Sequence, residues 1–137
     1  MITLYLIDTN IVSYIVRGRS PAARAKLAGL RENEIGCISA ITEGEIRYGL
    51  AKNPSARLRS VLDGFLNKLR ILPWGRDEAI AYGDLRAKLE RAGKTLGNMD
   101  LLIAAHAISA DAVLVTNDQS FSQVEDLHPT ENWVIDL

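Results

Sequence analysis

The sequence is poor in the residues that build disulfide frameworks and zinc sites. Of its 137 residues only one is cysteine, Cys37, and two are histidine. A lone cysteine excludes an intramolecular disulfide and a CxxC metal motif, and it is typical of a reducing compartment. The sequence also has no apolar run near the ~20 residues of a membrane helix, and its first residues lack the basic segment of a signal peptide. We therefore expect a cytoplasmic protein without membrane spans.

The sequence has almost no excess of charge of either sign. Lys and Arg number 16 and Asp and Glu number 17, which gives a net charge of −1. Bulk charge therefore does not indicate nucleic-acid binding. The distribution is uneven, because residues 17–31 contain basic side chains and no acid, and residues 57–70 form a second basic group that only Asp63 interrupts. Each group fits either an ordinary solvated surface or a basic rim around an acidic pocket.

Short β-like runs alternate with helical patterns along the chain. Strands are predicted at 3–8, 34–40, 71–74, 112–116 and 132–137, and helices at 9–18, 20–30, 42–52, 54–70, 76–93 and 98–110. The helix over 42–52 is expected to begin at Thr42, because Glu45 follows at the capping-box spacing. The alternation predicts a single α/β domain over residues 1–137, with a mainly parallel sheet of four to five strands covered on both faces.

Carboxylates recur where the predicted strands end. Asp8 ends the first strand, and Glu43 and Glu45 follow the second. Asp100 lies in the first turn of the helix before the fourth strand, and Asp118 follows that strand. Parallel strands end at one edge of a sheet, which is where such folds bind ligands. Several carboxylates without histidine or cysteine partners favour Mg²⁺ or Mn²⁺ over Zn²⁺.

Each acid also has a purely structural interpretation when it is taken alone. Asp8 could cap a helix, Asp100 could complement a helix dipole, and Asp118 could form an Asx-turn. Of Glu43 and Glu45, one should face the pocket and the other solvent. A chance arrangement of all the segments in one register is much less probable than any single coincidence, so we expect a shared site.

Four segments are similar to the signature segments of the PIN domain. They are "LIDTN" (6–10), "ISAITEGEIRYG" (38–49), "GNMDLLIAAHA" (97–107) and "LVTND..F" (114–121). In their order and spacing, and with "ENW" at 131–133, they resemble the VapC-type toxin ribonucleases of bacterial toxin–antitoxin systems. The resemblance implies a three-layer α/β/α fold and Mg²⁺- or Mn²⁺-dependent cleavage of structured RNA such as tRNA or rRNA loops. It also implies a VapB-type antitoxin partner in a hetero-oligomer. The apolar stripes of residues 9–16 and 41–66 fit a homodimer surface, an antitoxin groove or ordinary core packing.

The resemblance also implies roles for residues in the matching segments. The implied catalytic residues are Asp8, Glu45, Asp100 and Asp118. Of these, Asp8, Asp100 and Asp118 would hold the metal ion. The polar residues expected to support the acids are Thr9, Asn10, Thr116 and Asn117. The candidate RNA contacts from the basic residues are Arg17, Arg19 and Lys94.

Three features depart from the family pattern, and two rival functions stay open. Ser120 stands where many relatives have a second acid, Asn98 stands where relatives often have proline, and Glu43 stands where many have an apolar residue. One rival is a phosphatase with an aspartyl nucleophile, although that chemistry usually wants an acid where this chain has Asn10. The other rival is a catalytically silent PIN module that only binds RNA or a partner. His106 lies off the helical face of Asp100 and is expected to be a packed core or surface histidine and not a general base.

Overall fold

A parallel β-sheet organises the protein, which we describe from a computed structural model covering residues 1–135. Its strands are β1 (Thr3–Ile7), β2 (Glu34–Ser39), β3 (Arg70–Leu72) and β4 (Val113–Val115). They lie in the order β3-β2-β1-β4, and every neighbouring pair is parallel. The helices are α1 (Thr9–Val16), α2 (Pro21–Ala28), α3 (Ala40–Lys52), α4 (Ala56–Leu66), α5 (Arg76–Arg91) and α6 (Asn98–Ser109). A 3-10 turn follows at Gln119–Gln123.

The core is divided between the two faces of the sheet, because successive strand residues point to opposite sides. On one face the strand residues Leu6, Cys37 and Leu114 pack with buried residues of α5 and α6. On the other face Ile7, Ile38 and Val115 pack with residues of α1, α2 and α4. The predicted three-layer α/β/α fold with a parallel sheet is therefore confirmed.

The strand order creates a switch point at β1. The chain leaves β1 through α1 and α2 and continues to β2 on one side, whereas β4 arrives on the other side of β1. Leu6 lies opposite Cys37 of β2, and Ile7 lies opposite Val115 of β4. The residue after β1 is Asp8, so this acid stands where the connections diverge, which is where open α/β sheets bind ligands.

Several predicted bounds differ from the structure: the helix predicted over 54–70 ends at Leu66 because β3 already begins at Arg70. Two further differences have an identifiable local cause. Helix α3 begins at Ala40 and not at Thr42, because the Ser39 side chain caps it by accepting a hydrogen bond from the Ile41 amide (3.0 Å). The predicted strand over 132–137 is wrong for residues 132–135, since the contact with the sheet there is a single bridge between Glu131 and Val115. The Val134 amide bonds instead to the Asn132 side chain (2.9 Å). Residues 136–137 lie outside the described residues.

No helix within residues 1–135 combines the length and the apolar character that a membrane crossing needs.

Candidate active site

Asp8 is held at the edge of the sheet by groups from two neighbouring strands. Its side chain is 4% exposed. Asp8 Oδ1 accepts a hydrogen bond from the Thr9 amide (2.8 Å), and Oδ2 accepts one from the Thr116 hydroxyl (2.9 Å). The Asp8 amide donates to the Val115 carbonyl (2.9 Å). Asp8 therefore begins α1, as the capping interpretation expects, and is also fixed against the segment that follows β4.

Glu45 reaches the same edge from α3. The Thr9 hydroxyl donates a hydrogen bond to Glu45 Oε1 (2.9 Å) and lies 3.1 Å from the hydroxyl of Thr42. Thr42 is fully buried one turn before Glu45 on α3. This pair of threonines joins the start of α1 to α3, so the Glu45 carboxylate is oriented toward Asp8.

Asp118 enters through the loop after β4. Its amide donates to Thr116 Oγ1 (3.0 Å), the hydroxyl that also binds Asp8. Asp118 Oδ1 accepts from the Ser120 amide (2.9 Å) and so caps the 3-10 turn. Asp118 is therefore a turn residue and a neighbour of Asp8 at the same time, and Ser120 contributes a backbone contact to it.

Asp100 lies in the first turn of α6 and is partly buried. Burial raises the pKa of Asp100, and the negative charges of Asp8 and Asp118 raise it further. Burial likewise raises the pKa of Asp8, with added repulsion from Asp118 and Glu45. The hydrogen bonds from Thr116 and Thr9 oppose that rise. The acids of four separate segments thus act on one another electrostatically.

In the part of the chain that the structure describes, no basic side chain forms an ion pair with this group of acids. Within residues 1–135, the ion pairs do not include Asp8, Glu45, Asp100 or Asp118. Like charges near each other in a partly buried site are costly unless a cation joins them. Among the described residues, the side chains that meet at this edge offer carboxylate and hydroxyl oxygens, which suit a hard divalent cation.

The acids do not form a closed set of ligands around one point. Across the described chain, no three acidic, histidine or cysteine side chains are close enough to hold one ion together. Mg²⁺ keeps several of its waters and binds through one or two carboxylates with substrate phosphate. An open arrangement of oxygen donors is compatible with this partly hydrated coordination. The carboxylate and hydroxyl oxygens are also ligand types that Mg²⁺ prefers.

Several predicted site residues stand at the periphery. Glu43 pairs with Arg47 (2.8 Å), so on α3 it is Glu45 that faces the acids. Thr9 and Thr116 contact acids directly, as described above. Asn10 and Asn117 are exposed, and in the part of the chain described neither side chain hydrogen-bonds an acid.

The three predicted basic contacts differ in their surroundings. Arg17 lines a groove of about 210 Å³ that also contains Thr9 and Glu45. Arg19 is exposed at the end of the α1–α2 turn. The Lys94 amine lies 3.5 Å from the Gln123 carbonyl and 3.6 Å from a Glu125 oxygen, so it is already engaged.

A buried polar pair behind the acids was not expected from the sequence pattern. His106 Nδ1 lies 2.8 Å from Ser39 Oγ, and both residues are buried. The His106 ring also meets the edge of Trp74, with ring centres 5.5 Å apart. Burial lowers the pKa of His106, so the imidazole is neutral near pH 7. The pair ties α6 to the end of β2. The sequence contained one indication of a polar contact here, because Ser39, like Asp8, is a polar residue directly after buried strand residues.

Comparison with known proteins gives consistent similarities over nearly the whole chain. The PIN domain family matches residues 5–127. Ribonuclease VapC2 of Rickettsia felis is 38% identical over 132 residues, which cover 95% of this chain and 98% of that protein. The tRNA(fMet)-specific endonuclease VapC of Shigella flexneri is 33% identical over 132 residues, covering 94% of this chain and 97% of that protein.

A solved structure shows the same fold. The crystal structure of VapBC2 from Rickettsia felis bound to a DNA fragment from its promoter contains a chain that superposes with a TM-score of 0.89 at 37% identity. The match covers 96% of this chain and 99% of that chain.

Proposed function

The chain belongs to the PIN-domain family, among the VapC ribonucleases, and on that premise we propose that it is the toxin of a type II toxin–antitoxin system that cleaves RNA internally with the help of a divalent cation. PIN-domain nucleases are in general divalent-metal dependent. Mg²⁺ or Mn²⁺ is the ion that we propose for this chain, because its candidate ligands are all oxygen atoms.

The observation that carries the proposal is the convergence of uncompensated carboxylates at the switch point of the sheet. Asp8 and Asp100 have raised pKa values because they are buried and lie near other acids. A bound cation would offset the repulsion among these carboxylates, and a substrate phosphate could bring the cation into the site. When bound, a divalent ion can activate water and stabilise the charge that develops on a phosphodiester.

The chain's own residues would then divide the work by position. Asp8, Asp100 and Asp118 would hold the ion directly or through water. Glu45, oriented by the Thr9 hydroxyl, would accept a hydrogen bond from the attacking water and position it for in-line attack. Thr116 would keep Asp8 and the Asp118 backbone in register. Hydrolysis of this kind leaves a 5′-phosphate and a 3′-hydroxyl.

The substrate class and partner are proposed from the relatives. One relative is named for cleavage of tRNA(fMet), so structured RNA such as tRNA is the substrate that we propose. A solved relative is a VapBC complex, so we propose a VapB-type antitoxin as the partner, in a hetero-oligomer built on a VapC homodimer. The cytoplasm, where tRNA resides, is the proposed place of action.

The experiment is incubation of purified, antitoxin-free protein with bulk tRNA in Mg²⁺, in Mn²⁺ and in EDTA. Discrete fragments should form with either ion and disappear in EDTA. Asp8→Asn should lower the cleavage rate by about 100-fold or more, because it removes a ligand charge at the centre of the cluster. Cleavage that persists in EDTA, or a fully active Asp8→Asn protein, would overturn the proposal.

A further inference from the structure

A second cavity, richer in arginine, adjoins the groove beside the acids. It has a volume of about 480 Å³ and lies where the α1–α2 turn meets the start of α4. Arg17, Arg24 and Arg57 line it, with Val16 and Val61 among its apolar walls. No acid is among the lining residues. We call this cavity the arginine pocket.

The arginine pocket is continuous with the candidate active site. Val16 and Arg17 line the arginine pocket and also the smaller groove that holds Thr9 and Glu45. The two cavities therefore adjoin along α1, with Arg17 between the Glu45 side of the site and the other two arginines.

The cations of the pocket have no acidic partners. Arg17 Nε lies 3.3 Å from Ser13 Oγ, and Arg24 Nη2 donates to the Ile15 carbonyl (3.1 Å). Within residues 1–135, the ion pairs include none of the three arginines. The two hydrogen bonds fix Arg17 and Arg24 to α1 and leave their positive charges uncompensated.

The local backbone adds to the positive potential. Helices α2 and α4 both begin at this pocket, and neither has an acid in its first turn. Arg57 is the second residue of α4, where the helix dipole disfavours a cation. The helix dipole therefore does not favour arginine at this position, whereas binding of an anion does.

We propose that the arginine pocket binds a phosphate of the RNA strand that flanks the scissile phosphodiester. The inference rests on the proposed ribonuclease function and adds a second anchoring point to it. Guanidinium groups match phosphate oxygens through paired hydrogen bonds. An acidic segment of a protein partner would also satisfy the charges, but continuity with the catalytic acids favours the substrate strand.

The proposal changes the choice of RNA-binding residues. It keeps Arg17 and adds Arg24 and Arg57, which come from α2 and α4 and are distant from each other in sequence. Lys94, which is paired with Glu125, is outside it.

The test compares Arg57→Gln with Arg59→Gln. Arg59 lies on the same helix and is also exposed, but it lines neither cavity. Both changes are made in an Asp100→Asn chain, so that the probe, fluorescein-labelled bulk tRNA, is not cut. Binding is measured by anisotropy over a series of KCl concentrations.

Arg57→Gln should weaken tRNA binding about three- to tenfold and reduce the slope of log affinity against log salt by about 0.7 to 0.9. Arg24→Gln combined with Arg57→Gln should roughly double the loss of slope. Arg59→Gln should match the parent. The melting temperature of Arg57→Gln should equal or exceed that of the parent, since a cation is removed from the first turn of a helix.

The proposal that the arginine pocket binds RNA would be overturned if the two single variants had equal affinity and salt slope. It would also be overturned if the parent did not bind tRNA. A loss confined to binding of the cognate antitoxin would overturn it in favour of a protein ligand. If the wild-type chain fails to cleave tRNA but the two variants still differ in binding, the ribonuclease proposal fails while the pocket stands.

Discussion

At the scale of single residues, the site depends on side chains that satisfy structural and chemical needs together. Asp8 starts a helix, and Asp118 caps a 3-10 turn. Both are also members of the acid cluster, as the repulsion that raises the pKa of Asp8 shows. Asp8 and Asp118 can therefore cap a local element and belong to the group of acids at the same time.

Asp100 gives a direct test of that repulsion. Its pKa is raised by burial and by Asp8 and Asp118, so the folded chain holds the Asp100 proton more tightly than the unfolded chain does. Ionisation of Asp100 therefore costs folding free energy, and this cost appears as the pH rises through the raised pKa. In EDTA at pH 7, Asp100→Asn should be more stable than wild type by about 1 kcal/mol, measured by urea unfolding.

The difference in unfolding free energy should shrink as the pH falls below the ordinary aspartate pKa of about 3.9, because Asp100 then becomes protonated in the unfolded chain as well. Asp84→Asn is the control, because Asp84 is an exposed acid of α5 that forms no ion pair in residues 1–135. An Asp100→Asn protein that is less stable than wild type at pH 7 would contradict the idea of a repulsive cluster.

The residue types and their places at strand ends were enough to predict that these acids lie near one another. Asp8 and Asp118 follow buried strand residues, and the edge of a parallel sheet brings such positions together. The partners of those acids could not be predicted in the same way. The contact between Ser39 and His106 joins residues 67 positions apart in sequence, and no periodicity records that pairing.

At the scale of elements, the beginning of α3 shows why helix boundaries escape local rules. Thr42 and Glu45 have the spacing of a capping box, yet the helix begins earlier because Ser39 caps it. The buried Thr42 hydroxyl and the Glu45 carboxylate both form hydrogen bonds with the Thr9 hydroxyl. Tertiary contacts with α1 have therefore replaced the local cap.

This arrangement predicts a large effect for Ser39→Ala. The change removes the cap of α3 and leaves His106 Nδ1 buried without its partner. We expect a loss of unfolding free energy of about 2 kcal/mol, measured from urea midpoints. Ser60→Ala, an exposed serine on α4, should change stability by less than about 0.5 kcal/mol. Similar values for the two variants would show that the buried pair is not stabilising.

The strand predicted over residues 132–137 shows a second limit of predicting structure from sequence patterns. Trp133 and Val134 are apolar and buried, as a strand would require. They are buried as an irregular segment, because the Asn132 side chain competes for the Val134 amide. An apolar run predicts burial more securely than it predicts the conformation in which burial is achieved.

At the scale of the whole molecule, the strand order is what gathers the acids. The β1 switch point brings the ends of β1, β2 and β4 together, and α6 delivers Asp100 beside them. The alternation of strands and helices was enough to predict this architecture, whereas the arginine pocket depends on how α1, α2 and α4 pack together and was not predictable.

The acid cluster should couple metal binding to global stability. A divalent ion that binds the folded chain raises its unfolding free energy by mass action. We expect Mg²⁺ in place of EDTA to raise the melting temperature of the wild-type protein by several degrees. The rise should be much smaller in Asp8→Asn, measured by differential scanning calorimetry. An equal rise in both proteins would place the stabilising ion elsewhere.

We propose that RNA cleavage depends on the carboxylates that converge at the sheet edge and not on acidic side chains elsewhere on the surface. The most direct measurement is the rate of tRNA cleavage by Glu45→Gln and Glu43→Gln in Mg²⁺. The two glutamates lie two residues apart on α3, but Glu45 is held toward Asp8 by Thr9 whereas Glu43 pairs with Arg47. We predict that Glu45→Gln lowers the rate by about 10- to 100-fold and that Glu43→Gln stays within about twofold of wild type. Equal rates for the two variants, or a larger loss in Glu43→Gln, would contradict the account.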